Sequence, residues 1–158
     1  MHRRLPVLAI ILTALGILPF LLAGIGSLGL DPAPSLAAAY VLIIWGAVVL
    51  SFIGGVHWGL TLATPNDPVE RPRLLFGVVP PLMGWAAGAV AFYARQPVLG
   101  IIVLIACYLL VAGTEWHWHR KEWVPGGYIG LRMVGTAIVV LILIVVLGVR
   151  LIGGHLMF

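Results

Sequence analysis

Between Asp31 and Asp67 the chain runs for 35 residues without one formally charged side chain. A helix in water needs a polar face, and a run this long has no charged group with which to build one. It is, however, long enough to cross a bilayer, which takes about 20 apolar residues. The rest of the sequence agrees. Of its 158 residues, 62% are hydrophobic and 9% charged, with a mean hydropathy of +1.15. Soluble domains carry about 25% charged residues, so this chain is expected in a membrane. Its length suits one transmembrane domain over 1–158, with no separate soluble module.

Five segments approach spanning length: 5–25, 36–62, 74–93, 98–118 and 129–151. Between them lie "DPAPS", "TPNDPVERPR", "RQP" and "VPGG", whose prolines and glycines stop helices. Only helices and closed barrels satisfy their backbone in lipid, and runs this long are not barrel strands. The expected fold is an all-α, polytopic bundle of five transmembrane helices. The start, "MHRRLPVLAIILTALGILPF", has the basic head and apolar run of a signal peptide. Its apolar part is long enough to span, so it reads as a retained first helix.

Lys and Arg set the orientation. Arg3, Arg4, Arg71, Arg73, Arg120, Lys121 and Arg132 fall on one side, seven in all, against Arg95 and Arg150 on the other. The amino end is expected in the cytoplasm and the carboxyl end outside, as a multi-pass protein of a bacterial or mitochondrial inner membrane. No basic stripe with interleaved aromatics marks a nucleic-acid surface.

Small residues and prolines suggest how the helices meet. "GGVHWG" (Gly54, Gly55, Gly59) and "GWAAG" (Gly84, Gly88) are small-xxx-small patterns that let helices two and three approach closely. Pro19 and the pair Pro80 and Pro81 fall inside spans, where each removes an amide donor and bends the axis. Cys107, the single cysteine, lies in an apolar run and reads as a small buried hydrophobe. A faint repeat also runs through the chain. "GILP" precedes "GGVHW" and "GVVP" precedes "AGTEW", with 39 residues from Pro19 to Trp58 and 36 from Pro80 to Trp116. Two parallel hairpins and a fifth helix would make His57 and Glu115 equivalent positions.

Chemistry gathers at one membrane face. His57 lies five residues before Leu62, roughly 8 Å along a helix axis. Helix four runs the same way and ends in "TEWHWHRKEW", which brings Glu115, His117 and His119 to a similar depth. Arg132 enters at the start of helix five. Glu115 near a helix C-terminus and Arg132 near an N-terminus each oppose the macrodipole, so an ion pair between them would offset both penalties.

His57 has two readings. Its ring could donate to a carbonyl of a neighbouring helix and fill space beside glycines. It could instead bind a ligand: a metal ion with Glu115 and His119, which share a face at i, i+4, or a haem iron with His117 or His119. The bland reading of His117 and His119 is an interfacial belt with Trp116, Trp118 and Trp123. No nucleophile–base pair and no phosphate loop is present, and Ser51 lies two turns from His57 without a third partner.

"LGILPFLLAG", "LSFIGGVHWGL", "GVVPPLMGW" and "EWVPGGYIGLRMVGT" together resemble the domain-of-unknown-function family 3429, small integral membrane proteins with a mitochondrial transmembrane relative. The resemblance implies a five-helix membrane fold, an acidic residue after helix four (Glu115 or Glu122) and a Tyr–Arg entry to helix five. It implies no activity. The His-rich "WHWHRK" departs from the pattern, so nothing carries over to His117 and His119.

Three functions are left open. A non-enzymatic packing or assembly subunit needs only small-residue faces and an aromatic belt, with the bilayer and another membrane protein or a second copy as partners. A binder of haem, metal or quinone would use the His57 and Glu115 face. Solute transport has least support, since the span centres carry no charge.

Overall fold

The computed structural model describes residues 7–64, 68–124 and 126–156. They form five α-helices: α1 (Val7–Ser27), α2 (Pro32–Leu62), α3 (Glu70–Tyr93), α4 (Pro97–His119) and α5 (Gly126–Leu156). Each holds an 18-residue window with mean hydropathy between 1.7 and 2.8, long and apolar enough to cross a membrane. Arg3, Arg4 and Leu5, positions 65–67 of the second loop, and Pro125 lie outside the described residues.

Local chemistry sets the helix ends. Pro32 and Pro97 occupy the first turns of α2 and α4, where a missing amide is harmless. Pro80 and Pro81 sit inside α3 and Pro19 inside α1. Short loops join successive helices, so neighbours run antiparallel. Both the α2–α3 and α4–α5 loops lie at one end of the bundle, called here the polar end. The α1–α2 and α3–α4 loops lie at the opposite end.

The helices close a ring in which each packs on its neighbours in sequence, α5 returns to α1, and α2 touches α4 across the middle. The core carries Phe20 from α1, Leu42, Ile43 and Leu50 from α2, and Ala87 and Ala91 from α3. It is completed by Ile101, Leu104, Tyr108 and Val111 from α4 and by Leu143 and Val146 from α5. Cys107 packs there as a buried side chain. Tyr108 donates its hydroxyl to the Gly46 carbonyl at 2.9 Å, so a polar group at mid-bundle is satisfied without a charge. α1 joins this core only through its second half, where Phe20, Ala23, Gly24 and Ser27 are buried.

α2 and α3 approach closely, and of the small residues expected there the contact uses Gly54 and Gly84. A Cβ on Gly54 would strike the Gly77 carbonyl oxygen, and one on Gly84 would stand 2.9 Å from the Ala47 Cα. Gly55, Gly59 and Gly88 have nothing within 4 Å of a would-be Cβ. The expectation that they pack inside the bundle is therefore corrected. A helix turns 100° per residue, so the Gly55–Gly59 stripe and Gly54 cannot face the same neighbour.

Candidate functional site

Three helices deliver polar side chains to one point at the polar end. His57 comes from α2, Glu115 from α4 and Arg132 from α5, and the His57 and Glu115 side chains are fully buried. Glu115 lies four residues before the last residue of α4, about 6 Å from that helix end. Arg132 lies six residues into α5, about 9 Å from its start.

Glu115 is the hub. Its Oε2 is 3.1 Å from Arg132 Nε, the ion pair that the macrodipole argument anticipates. Its Oε1 accepts from His57 Nε2–H at 3.0 Å and from the Tyr128 hydroxyl at 2.9 Å. The carboxylate beside a guanidinium only accepts, which fixes the His57 tautomer with its hydrogen on Nε2. Arg132 also donates through Nη1 to the Thr136 hydroxyl, which in turn donates to the Arg132 carbonyl at 2.9 Å. Tyr128, Arg132 and Thr136 stand at i, i+4 and i+8, one stripe of α5 turned toward Glu115.

The His57 ring is walled by aromatics. Phe76 on α3 stands perpendicular to it with centroids 4.9 Å apart, and Trp118 on α4 does the same at 5.7 Å. Thr61 donates to the His57 carbonyl at 3.0 Å. The ring's second nitrogen, Nδ1, is buried with no hydrogen-bond partner. His57 thus donates to a carboxylate, where the packing reading expects a helix carbonyl.

The end of α4 is shaped by a tight reversal. Glu122 has φ 61°, the left-handed region, and its amide bonds the His119 carbonyl at 2.9 Å. The Trp123 amide reaches back to the Trp118 carbonyl at 3.0 Å. Together these two bonds make a Schellman motif, with Glu122 where glycine is usual. The turn exposes the next carbonyls to other groups: Arg73 of α3 donates to Trp123, and His119 Nδ1–H donates to Val124 at 3.0 Å.

That turn separates the expected ligands. His119 faces the loop, and His117 is exposed. Among the described residues no three His, Cys, Asp or Glu side chains are grouped to hold a metal ion. The three-residue site of His57, Glu115 and His119 is therefore not assembled. His57 Nε2 bonds to Glu115 and His119 Nδ1 to the Val124 carbonyl of the loop, which sets the orientation of each ring. Trp118 leaves the expected interfacial belt to pack on His57 and Phe76, while Trp116 stays 51% exposed. Ser51, exposed on α2, donates to the Ala47 carbonyl.

The sequence reading missed Phe76, Thr136 and Arg73 at this site. The i, i+4, i+8 spacing of Tyr128, Arg132 and Thr136 could have found the α5 stripe. Nothing local marks Phe76, one aromatic among many apolar residues.

The model of one protein family, "Protein of unknown function (DUF3429)", matches residues 5–148. No curated protein and no solved structure matches the chain.

Proposed function

The chain belongs to the DUF3429 family, and from that premise we propose that this multi-pass membrane protein is a non-enzymatic accessory subunit that packs against another membrane protein. The observation that carries the reading is where the unused small residues point. Ser51, Gly55 and Gly59 recur every fourth residue on an exposed stripe of α2, and both glycines have open space where a Cβ would be. A helix of a partner could approach that backbone closely, the geometry that drives association where the hydrophobic effect is absent.

The polar network supports the same reading from the other side. Both carboxylate oxygens of Glu115 and the Nε2 of His57 are engaged within the bundle. A metal ion that took Glu115 as a ligand would first have to break its ion pair with Arg132 in low dielectric. The network acts as a clasp that ties α2, α4 and α5 together.

The polar end is assigned to the cytoplasm. Arg73 and Arg132 are internal bonding groups, which leaves Arg71, Arg120 and Lys121 as its exposed cations, beside Arg3 and Arg4 in the sequence. The opposite end shows Arg95, with Arg150 engaged internally. That excess of cations supports the orientation and suits a bacterial or mitochondrial inner membrane.

Purification in mild detergent, followed by visible spectroscopy, metal analysis and native mass spectrometry, tests the reading. The expected result is a complex of fixed stoichiometry with a second membrane protein, lost in Gly55→Leu/Gly59→Leu, and no coloured or metallic cofactor. A stoichiometric haem, metal or quinone that disappears in His57→Ala would overturn it.

A further inference from the structure

On its outer side the joint between α2 and α3 opens as a groove of about 490 Å³. Ala47, Gly84 and Gly88 line it with small groups, and Val48, Trp85 and Phe92 with large ones. Gly88 leaves open space where a Cβ would be. Tyr40 stacks on Phe92 with centroids 4.6 Å apart and holds that wall in place. Ser51, also in the lining, donates its hydroxyl to the Ala47 carbonyl. The groove therefore presents mainly hydrocarbon and aromatic surface, and it does so between two spans, where the medium is lipid.

Its length says what fits. On α3 the lining runs from Pro81 to Tyr93, about 18 Å along the axis. The hydrocarbon core of a bilayer is about 30 Å thick, so one leaflet is about 15 Å deep. A partner helix needs a face through both leaflets, whereas this groove fills one. It ends at Tyr93, the last residue of α3 and 91% exposed, in the leaflet opposite the polar end. An exposed tyrosine there sits at headgroup depth.

Charge completes the site. Arg95 stands two residues beyond Tyr93, exposed and outside the spans, with no ion pair or hydrogen bond among the described residues. Its φ is 51°, in the left-handed region that glycine adopts most easily. An arginine kept in that conformation at a helix end points to a use for its side chain. Asp31, the exposed carboxylate at this end, lies nine residues before Tyr40, about 13 Å along α2 from the Tyr40–Phe92 stack. A phosphate at the mouth of the groove thus has a cation within its own layer.

We propose that this groove binds one membrane phospholipid, with an acyl chain between α2 and α3 and the headgroup phosphate on Arg95. The chain matches the groove in length and chemistry, and the guanidinium offers phosphate paired N–H donors. The site stands apart from the accessory role: Gly55 and Gly59 lie nearer the polar end, beyond Ser51.

Native mass spectrometry of the full chain in mild detergent tests this. The protein is titrated with dimyristoyl phosphatidylglycerol and, separately, with dimyristoylglycerol, which has the same chains and no phosphate. One saturable phospholipid per chain is expected. Gly88→Phe, whose ring would fill the groove, should weaken it at least about tenfold, the loss of roughly two buried methylenes. Arg95→Gln should weaken it about threefold, the scale of an exposed ion pair, and leave dimyristoylglycerol binding as it was. Arg95 lies outside the helices, so its variant decides the matter if Gly88→Phe does not fold. Gly55→Leu/Gly59→Leu should keep the lipid, which separates its loss from the loss of a protein partner. Absence of saturable binding overturns the proposal, as does binding that either folded variant leaves unchanged. A second copy or another protein displaced by Gly88→Phe in place of lipid overturns it too.

Discussion

The two ends of the bundle are fastened by arginine in opposite ways. At the polar end, Arg132 meets the buried carboxylate of Glu115 at 3.1 Å, and His57 and Tyr128 fill the remaining acceptor sites. At the opposite end, Arg150 of α5 donates to the Ser35 carbonyl at 2.6 Å, to the Ser35 hydroxyl at 3.1 Å and to the Ser27 carbonyl at 3.5 Å. The Ser35 hydroxyl donates to the same Ser27 carbonyl at 2.7 Å, so α1, α2 and α5 meet there. Among the described residues, no carboxylate pairs with Arg150. The first clasp balances charge against charge. The second leans on neutral acceptors, the Ser35 carbonyl and hydroxyl in the first turn of α2 and, at longer range, the Ser27 carbonyl at the end of α1. Breaking the first strands an ion in low dielectric, whereas breaking the second leaves neutral groups near the membrane surface that water can reach.

That difference should appear first in the carboxylate. Glu115→Gln leaves Arg132 without its counter-ion, and removing one partner of a buried pair costs about 3–5 kcal/mol. Detergent-solubilised protein should lose that much in equilibrium unfolding followed by circular dichroism. Arg150→Met, which replaces a cation bonded to neutral acceptors with an apolar chain of similar reach, should cost about 1–3 kcal/mol. Equal losses at the two ends would erase the contrast.

A smaller effect separates the helix contacts nearest each end. Gly54→Ala pushes a methyl onto the Gly77 carbonyl, a backbone atom that cannot swing aside. Gly100→Ala meets chiefly the Ala91 methyl, at 2.7 Å. Overpacking of this kind costs about 1–3 kcal/mol, and Gly54 should lie at the upper limit. Gly55→Ala, aimed at open space, should instead raise stability by about 0.5–1 kcal/mol, the usual gain over glycine in a helix. Thermal midpoints measured in one detergent would rank the three.

The smallest expected change is at the polar-end turn. Glu122 holds a left-handed conformation that costs an L residue roughly 1–2 kcal/mol. Glu122→Gly should relieve about 1 kcal/mol while keeping the His119 and Arg73 bonds to the turn, and slower amide exchange at Glu122 and Trp123 would register it.

The two ends were also unequally legible in the sequence. Glu115 and Arg132 stand out because ionisable side chains in apolar runs are few, and each sits at the wrong end of a helix dipole. Their pairing followed from helices four and five being consecutive. Arg150 was counted only as a loop charge, because its partners are carbonyls, which every residue has. The five spans were readable from hydropathy, with ends drifting by a few residues where caps and prolines extend the helices. Which face of α2 meets α3 was not readable. Gly54, Gly55 and Gly59 look alike in sequence, and only the rotation of the helix decides which of them touches Gly77. His119 does not join His57 and Glu115 because the reversal at Glu122, with no glycine to announce it, turns the chain back to meet its ring.

The Glu115 hub has a consequence for biosynthesis. Chains emerge amino end first, so α4 reaches the membrane before α5 has been made. During that interval Glu115 is a carboxylate without its cation at the edge of the lipid, which disfavours full insertion of its helix. Its counter-ion arrives 17 positions later, with Arg132. The last two helices should therefore enter the bilayer as a pair, and a nascent chain halted before Arg132 should leave α4 open to water-soluble cysteine probes.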